Sequence, residues 1–216
     1  MATAAAAAGR DVSAIRLLAV TKTHPPEIVA EARHAGLRLF GENRVQEAAA
    51  KYTEIADEVE LHLIGHLQRN KARMVPGLFS WIESIDAIRT ARALSHQCEE
   101  SGTEISVLLE LNSSGEASKY GYDEEERLLD ESDEIAALPG LRLRGLMTIG
   151  PFVEEEAAIR EAFARTRALF ERLSSRHAGS DRARVDTLSM GMTNDYEIAI
   201  REGSTEIRVG SALFGA

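Results

Sequence analysis

The chain of 216 residues has one cysteine, Cys98, so no internal disulfide can staple its core. Cys98 lies in a helical pattern, with no second cysteine to share a metal. It reads as a half-buried helix residue, and cysteine usage this sparse fits the cytoplasm. Positive charge is also short, with 25 Lys and Arg against 35 Asp and Glu, a net charge of −10 with no basic block to offset it locally. Such a surface repels a phosphate backbone, which argues against nucleic acid as a partner. No apolar run approaches the roughly 18 residues of a membrane span, so no membrane association is expected. Residues 1–9 are alanine-rich but lack a basic start and a leucine-rich stretch, which argues against a secretory signal. They read as a tail or as part of an N-terminal helix running to about Ser13.

Against these absences, apolar runs of strand length alternate regularly with longer segments of helical period. Eight strands are predicted, over 15–20, 37–40, 60–64, 79–85, 104–111, 141–147, 185–188 and 206–209. Seven helices separate them, near 26–35, 43–56, 68–75, 87–101, 123–137, 154–177 and 193–202. In the sixth, Ala157, Phe163, Leu169, Phe170 and Leu173 recur at three- and four-residue steps and predict the packed face. The acidic run Asp123-Glu124-Glu125-Glu126, continued by Asp130, Glu131, Asp133 and Glu134, reads as a solvated helix face. Alternation of this kind implies a parallel sheet, and the eight-fold count favours closure into a (β/α)8 TIM barrel. The expected organisation is a tail or helix over 1–13 and one barrel over 14–216. The last strand leaves little chain for an eighth helix, and the N-terminal helix is expected to cover that gap.

Functional groups in such barrels gather at the carboxyl ends of the strands. There the sequence sets Lys22, Glu42-Asn43, Gly65-His66, Asn112-Ser113-Ser114-Gly115, Thr148, Ser189-Met190-Gly191 and Gly210-Ser211. Lys22 follows the apolar run Leu17-Leu18-Ala19-Val20 and precedes Pro25-Pro26, where a strand hands over to a loop. The last two strand ends, Ser189 to Thr193 and Gly210-Ser211-Ala212, have the small and hydroxyl residues that a phosphate site needs. Arg208, two residues before Gly210, is predicted to point into the barrel, where it must pair with an interior carboxylate or with a ligand. Strand ends offer few metal donors, and His62 and His66 straddle a strand-to-loop step rather than share a helix face, so no metal is expected. A Gly-x-Ser-x-Gly elbow, a Walker loop and an early Gly-x-Gly-x-x-Gly are all missing, which weakens hydrolase and nucleotide-binding readings.

Several longer blocks occur in order. They are Val20-Thr21-Lys22-Thr23, Phe40-Gly41-Glu42-Asn43-Arg44-Val45-Gln46-Glu47, His62-Leu63-Ile64-Gly65-His66-Leu67-Gln68-Arg69-Asn70-Lys71, Ser114-Gly115-Glu116-Ala117-Ser118-Lys119-Tyr120-Gly121, Gly145-Leu146-Met147-Thr148, Leu188-Ser189-Met190-Gly191-Met192 and Gly203-Ser204-Thr205-Glu206-Ile207-Arg208-Val209-Gly210. From about residue 12 to the end the chain thereby resembles the pyridoxal phosphate homeostasis protein family. The resemblance implies a single barrel similar to the N-terminal domain of alanine racemase, with pyridoxal 5′-phosphate (PLP) on Lys22. It further implies that Ser189, Gly210 and Ser211 hold the phosphate, that Arg208 faces the pyridine nitrogen and that Asn43 lies beside the ring. Ser211 stands where threonine is frequent and Thr193 where serine is, each keeping the hydroxyl.

The same resemblance implies a role in intracellular vitamin B6 homeostasis, in which PLP is held as a lysine Schiff base and buffered, carried or released without evident catalysis. PLP-dependent apoenzymes are then the expected acceptors, and the barrel is expected to be a monomer. A small racemase-like PLP enzyme is the alternative. Racemisation through two bases needs a second acid/base, which alanine racemase draws from a partner subunit and an additional C-terminal domain, and the chain ends before any such domain. Tyr120 and Tyr122 are the conceivable substitutes and read as surface loop residues. A sugar-phosphate barrel enzyme without PLP would use the same phosphate cup.

Overall fold

The computed structural model describes residues 1–116 and 119–215; Ala117 and Ser118 of the fourth block and Ala216 lie outside the described residues. Eight parallel strands follow one another around a closed barrel: Arg16–Val20 (β1), Leu39–Glu42 (β2), Glu60–Leu63 (β3), Trp81–Ile85 (β4), Ile105–Leu111 (β5), Leu141–Thr148 (β6), Ala183–Ser189 (β7) and Glu206–Val209 (β8). Closure comes from β1 pairing with β8, Leu18 opposite Arg208 and Ala19 opposite Val209. The expected (β/α)8 barrel is therefore the fold, and every strand read from the sequence is present.

The surrounding helices are Ala2–Ala7 (α1), Pro26–His34 (α2), Val45–Tyr52 (α3), Ile88–Ser101 (α4), Glu125–Ala137 (α5), Glu156–Arg176 (α6), Tyr196–Arg201 (α7) and Ser211–Phe214 (α8). Several expectations need correction. The helix read at 68–75 is a 3₁₀ turn, Arg69–Met74, because Pro76 leaves too few residues to propagate an α-helix. The N-terminal helix stops at Ala7; Gly9 turns the chain at φ +65°, and Asp11 caps a separate 3₁₀ turn, Val12–Ala14. In α6, Ala157 is exposed and the buried stripe runs through Ile159, Phe163, Thr166, Leu169 and Leu173.

Helix α1 does cover the seam between the last strand and the first. Ala4 and Ala5 pack with Ile15, Ile200, Ile207 and Val209, while Arg10 donates to the carbonyls of Ile200 and Ser204. Cys98 is fully buried against Gly140 rather than half-buried. The acidic run of α5 is wet, as read, but it is also paired: Glu125 takes Arg165 and Arg172 of α6, and Asp133 takes Arg176. Among the described residues no helix is long and apolar enough to cross a membrane.

Candidate functional site

The carboxyl end of β1 opens into a turn that carries Lys22, exposed, followed by Thr23 at φ +67°. A β-branched residue in the left-handed region is strained, and such strain persists only where its surroundings impose it. Here both sides of the turn are held. The Thr23 amide donates to Glu47 Oε1 at 2.6 Å and the Thr23 hydroxyl to the carbonyl of Lys22 at 2.6 Å. On the other side, Lys51 Nζ donates to the carbonyl of Thr21 at 2.8 Å, to Glu42 at 3.0 Å and to Glu47 at 2.6 Å.

The bracing network extends inward. Thr21 Oγ1 donates to Glu42 Oε1 at 2.8 Å and receives the hydroxyl of Tyr52 at 2.5 Å. Helix α3 makes this possible, because Glu47 and Lys51 are four residues apart on one face and Tyr52 is fully buried. Burial raises the carboxyl of Glu42, an effect only partly offset by Thr21 and Lys51. For Glu47 the outcome is reversed: burial would raise it, but Lys51 and the Thr23 amide outweigh that and hold it low. The sequence reading missed Lys51, Glu47 and Tyr52, although the i, i+4 pair just after a strand end was visible.

Arg208 points into the barrel as predicted and is buried. Among the described residues it forms no ion pair with an acidic side chain: Nη1 donates to Ser189 Oγ at 2.8 Å and Nη2 to the Thr148 carbonyl at 2.7 Å. Ser189 passes the connection on, its hydroxyl donating to Glu83 Oε2 at 2.6 Å. Glu83 then meets His62 Nδ1 at 2.6 Å, and His62 Nε2 meets Glu60 at 3.2 Å, with Arg16 beyond at 2.8 Å. A polar chain thus runs from the mouth through the barrel interior, with His62 stacked on Trp81 at 4.9 Å.

Charges in this chain fix one another. Burial would lower His62, yet Glu206, Glu60 and Glu83 outweigh it and raise the imidazole to about 9. Burial would raise Glu60, but His62 and Arg16 hold it down at about 2. Glu206 faces the same group with neither carboxyl oxygen hydrogen-bonded among the described residues, and burial together with the neighbouring Glu83 charge raises it. His62, Glu83 and Glu206 bring possible ligand atoms within 4.8 Å of one another, a grouping that arises from strand interiors rather than from the strand ends surveyed in the sequence.

The remaining predicted residues surround the same mouth. Asn43, half-buried at the end of β2, makes no side-chain hydrogen bond among the described residues, and its backbone fits against Gly65, where a Cβ would lie 2.3 Å from the Asn43 carbonyl. Gly210 packs on β1, its hypothetical Cβ 2.9 Å from the carbonyl of Val20. The Ser211 hydroxyl, exposed, donates to Thr193 at 3.2 Å, which brings the last two strand ends together. His24 lies edge-on to Phe214 at 5.5 Å and closes that side. Ser189 is placed apart from this exposed group, fully buried with its hydroxyl committed to Glu83 and Arg208. Of the two tyrosines, Tyr120 is exposed and stacked on His66 at 3.9 Å. Tyr122 departs from its reading: it is buried and donates to Glu131 at 2.6 Å.

A closed parallel barrel with a single lysine-bearing turn at the end of β1 defines a class, and the chain belongs to the family described as the alanine racemase N-terminal domain, whose profile matches residues 3–216. Within that class it belongs to the pyridoxal phosphate homeostasis protein family. The protein of that name from Pseudomonas aeruginosa is 47% identical over 214 residues, 99% of this chain and 89% of the relative. The one from Escherichia coli K12 is 43% identical over 222 residues, 99% of this chain and 90% of the relative. Among solved structures, PipY of Synechococcus elongatus with PLP bound superposes at a TM-score of 0.85 with 37% identity, covering 98% of this chain and 97% of PipY. An alanine racemase from Clostridium difficile, at 14% identity and a TM-score of 0.73 over 94% of this chain and 52% of its own, shares the fold.

Proposed function

We propose that this protein binds PLP at the β1–β8 side of the barrel mouth through a Schiff base to Lys22, and that it serves in PLP homeostasis by buffering, carrying or releasing the cofactor. The observation that carries the reading is Lys22 itself, an exposed amine on a strained turn braced from both sides in a chain that belongs to this family. The donor set fits the group. Hydroxyls of Ser211 and Thr193, with the open amides at the start of α8 beyond Gly210, suit a phosphate. Asn43 has an uncommitted side chain for the ring edge, and Arg208 has donors beyond the two already used. Ser189 enters this reading through Arg208, which its hydroxyl helps to hold.

When bound, PLP supplies an aldehyde that condenses with primary amines and a ring that withdraws electrons. Arg208 has no acceptor and stays charged, so it cannot favour a protonated pyridine nitrogen. That weakens the ring as an electron sink, which suits retention over turnover. The burial of Tyr122 and its bond to Glu131 remove one candidate second base, which also supports a carrier. In this reading the protein is a cytoplasmic monomer that hands PLP to apoenzymes.

After PLP is added and the unbound cofactor removed by gel filtration, the protein is expected to keep visible imine absorption that Lys22→Ala abolishes while far-UV circular dichroism is unchanged. Colour retained in Lys22→Ala overturns the assignment. Amino acids incubated with the loaded protein in deuterated water are expected to keep their α-protons; exchange that depends on Lys22 would establish the racemase-like alternative.

A further inference from the structure

Directly across the barrel from Lys22, the carboxyl end of β5 leads into a cavity of about 190 Å³ lined by Glu110, Leu111, Asn112, Lys119, Tyr120 and Ile149. Glu110 is only 7% exposed, and its carboxyl, whose oxygens stay open to the cavity rather than sealed, has no protein hydrogen-bond partner among the described residues. Buried carboxylates are ordinarily paired, since desolvation without a partner is costly. The charged neighbours make the deficit worse: Asp86 and Glu83 face Glu110 from the β4 side, while on β6 its partner Met147 and the adjacent Thr148 are neutral. Among the described residues the cation acting on it is Arg208, which is held by Thr148 and Ser189. Lys119, in the following loop, is tied to Glu116 at 2.6 Å. The cavity therefore has a carboxyl without a paired cation among the described residues, with an ammonium on its rim.

We propose that this cavity binds a small ammonium-bearing molecule, with the ammonium on Glu110 and, for an α-amino acid, the carboxylate toward Lys119. The cavity volume admits a ligand of that size, and Tyr120, stacked on His66, offers an aromatic wall. Burial and the Asp86 charge raise the empty Glu110 carboxyl to about 7. A bound ammonium favours the charged form, so binding at neutral pH releases protons. None of the groups lining it is assigned to the cofactor, although Arg208, which is, acts on Glu110 from nearby.

The test is isothermal titration of the full chain with ethylammonium, L-alanine and acetate. Saturable binding of both ammonium compounds is expected, alanine the tighter, with acetate alone not binding. Glu110→Gln keeps the shape and removes a buried carboxyl that lacks a partner, so it is expected to fold at least as well as wild type and to bind both about tenfold or more weakly. Titration of the wild type in two buffers of different ionisation enthalpy is expected to show proton release at neutral pH, a readout independent of the variant. No saturation by either ammonium compound, equal binding by Glu110→Gln, or no proton release overturns the proposal. The same titration on Lys22→Ala separates it from the cofactor reading, because alanine binding retained there does not depend on a PLP-linked lysine.

Discussion

At the scale of single residues, Lys22 is the product of its neighbours. Its turn departs from relaxed geometry at Thr23, and the departure is imposed by Lys51 pulling on the Thr21 carbonyl and Glu47 accepting the Thr23 amide. Lys51 has a side chain only 6% exposed and holds two carboxylates. Lys51→Met leaves Glu42 and Glu47 without their cation, and removing one member of a buried pair costs roughly 3 kcal/mol. Urea unfolding is expected to show that loss, and PLP titration of the folded variant is expected to show weaker binding although Lys22 is intact. Unchanged affinity would mean that the turn holds its shape without this brace. The sequence exposed Lys22 through its strand-end position and flanking prolines, but not its brace, because a hydrogen bond to a backbone carbonyl leaves no pattern in residue type.

At the scale of elements, the barrel depends on places where strands come too close for side chains. At Gly145, φ is +146° and an added Cβ would lie 1.9 Å from the Thr187 carbonyl, beside the register shift between β6 and β7. Gly145→Ala combines a clash with backbone strain, and is expected to cost at least about 3 kcal/mol in chemical denaturation. A variant as stable as wild type would show that β6 and β7 can shift apart. Strand count and order were legible because buried parallel strands read as apolar runs between helical periods. Element ends were less so: the 68–75 segment has helical composition, but Pro76 cuts it short, and the tail breaks at Gly9 although alanine favours helix throughout. The interior polar chain was only half legible. Arg208 announced itself by strand period, whereas Glu83, Glu110 and Glu206 carried no signal of their own in the sequence and are buried only by barrel closure.

At the scale of the whole molecule, that interior sets the pH response. Groups raised on folding, Glu110 to about 7, Glu206 in the same direction and His62 to about 9, add stability that is complete below their unfolded values and is lost as pH rises through the folded ones. Glu60, held at about 2, and Glu83, also lowered, add stability that is lost as pH falls below the usual carboxylate range. The two sets together place maximum stability near about pH 5, with a decline toward about pH 9 that the net charge of −10 reinforces. Urea midpoints across that range are expected to fall on the alkaline side; a flat profile would show that the interior carboxyls keep their ordinary ionisation. In the proposed reading, function at this scale rests on Lys22, an exposed amine at the rim of a polar-cored barrel. The most direct test is to load the protein with PLP, reduce it with borohydride and map the modified peptide by mass spectrometry. A single pyridoxyl group on Lys22 is the expected result, and a label on Lys51, Lys71 or Lys119 with Lys22 unmodified would contradict the assignment.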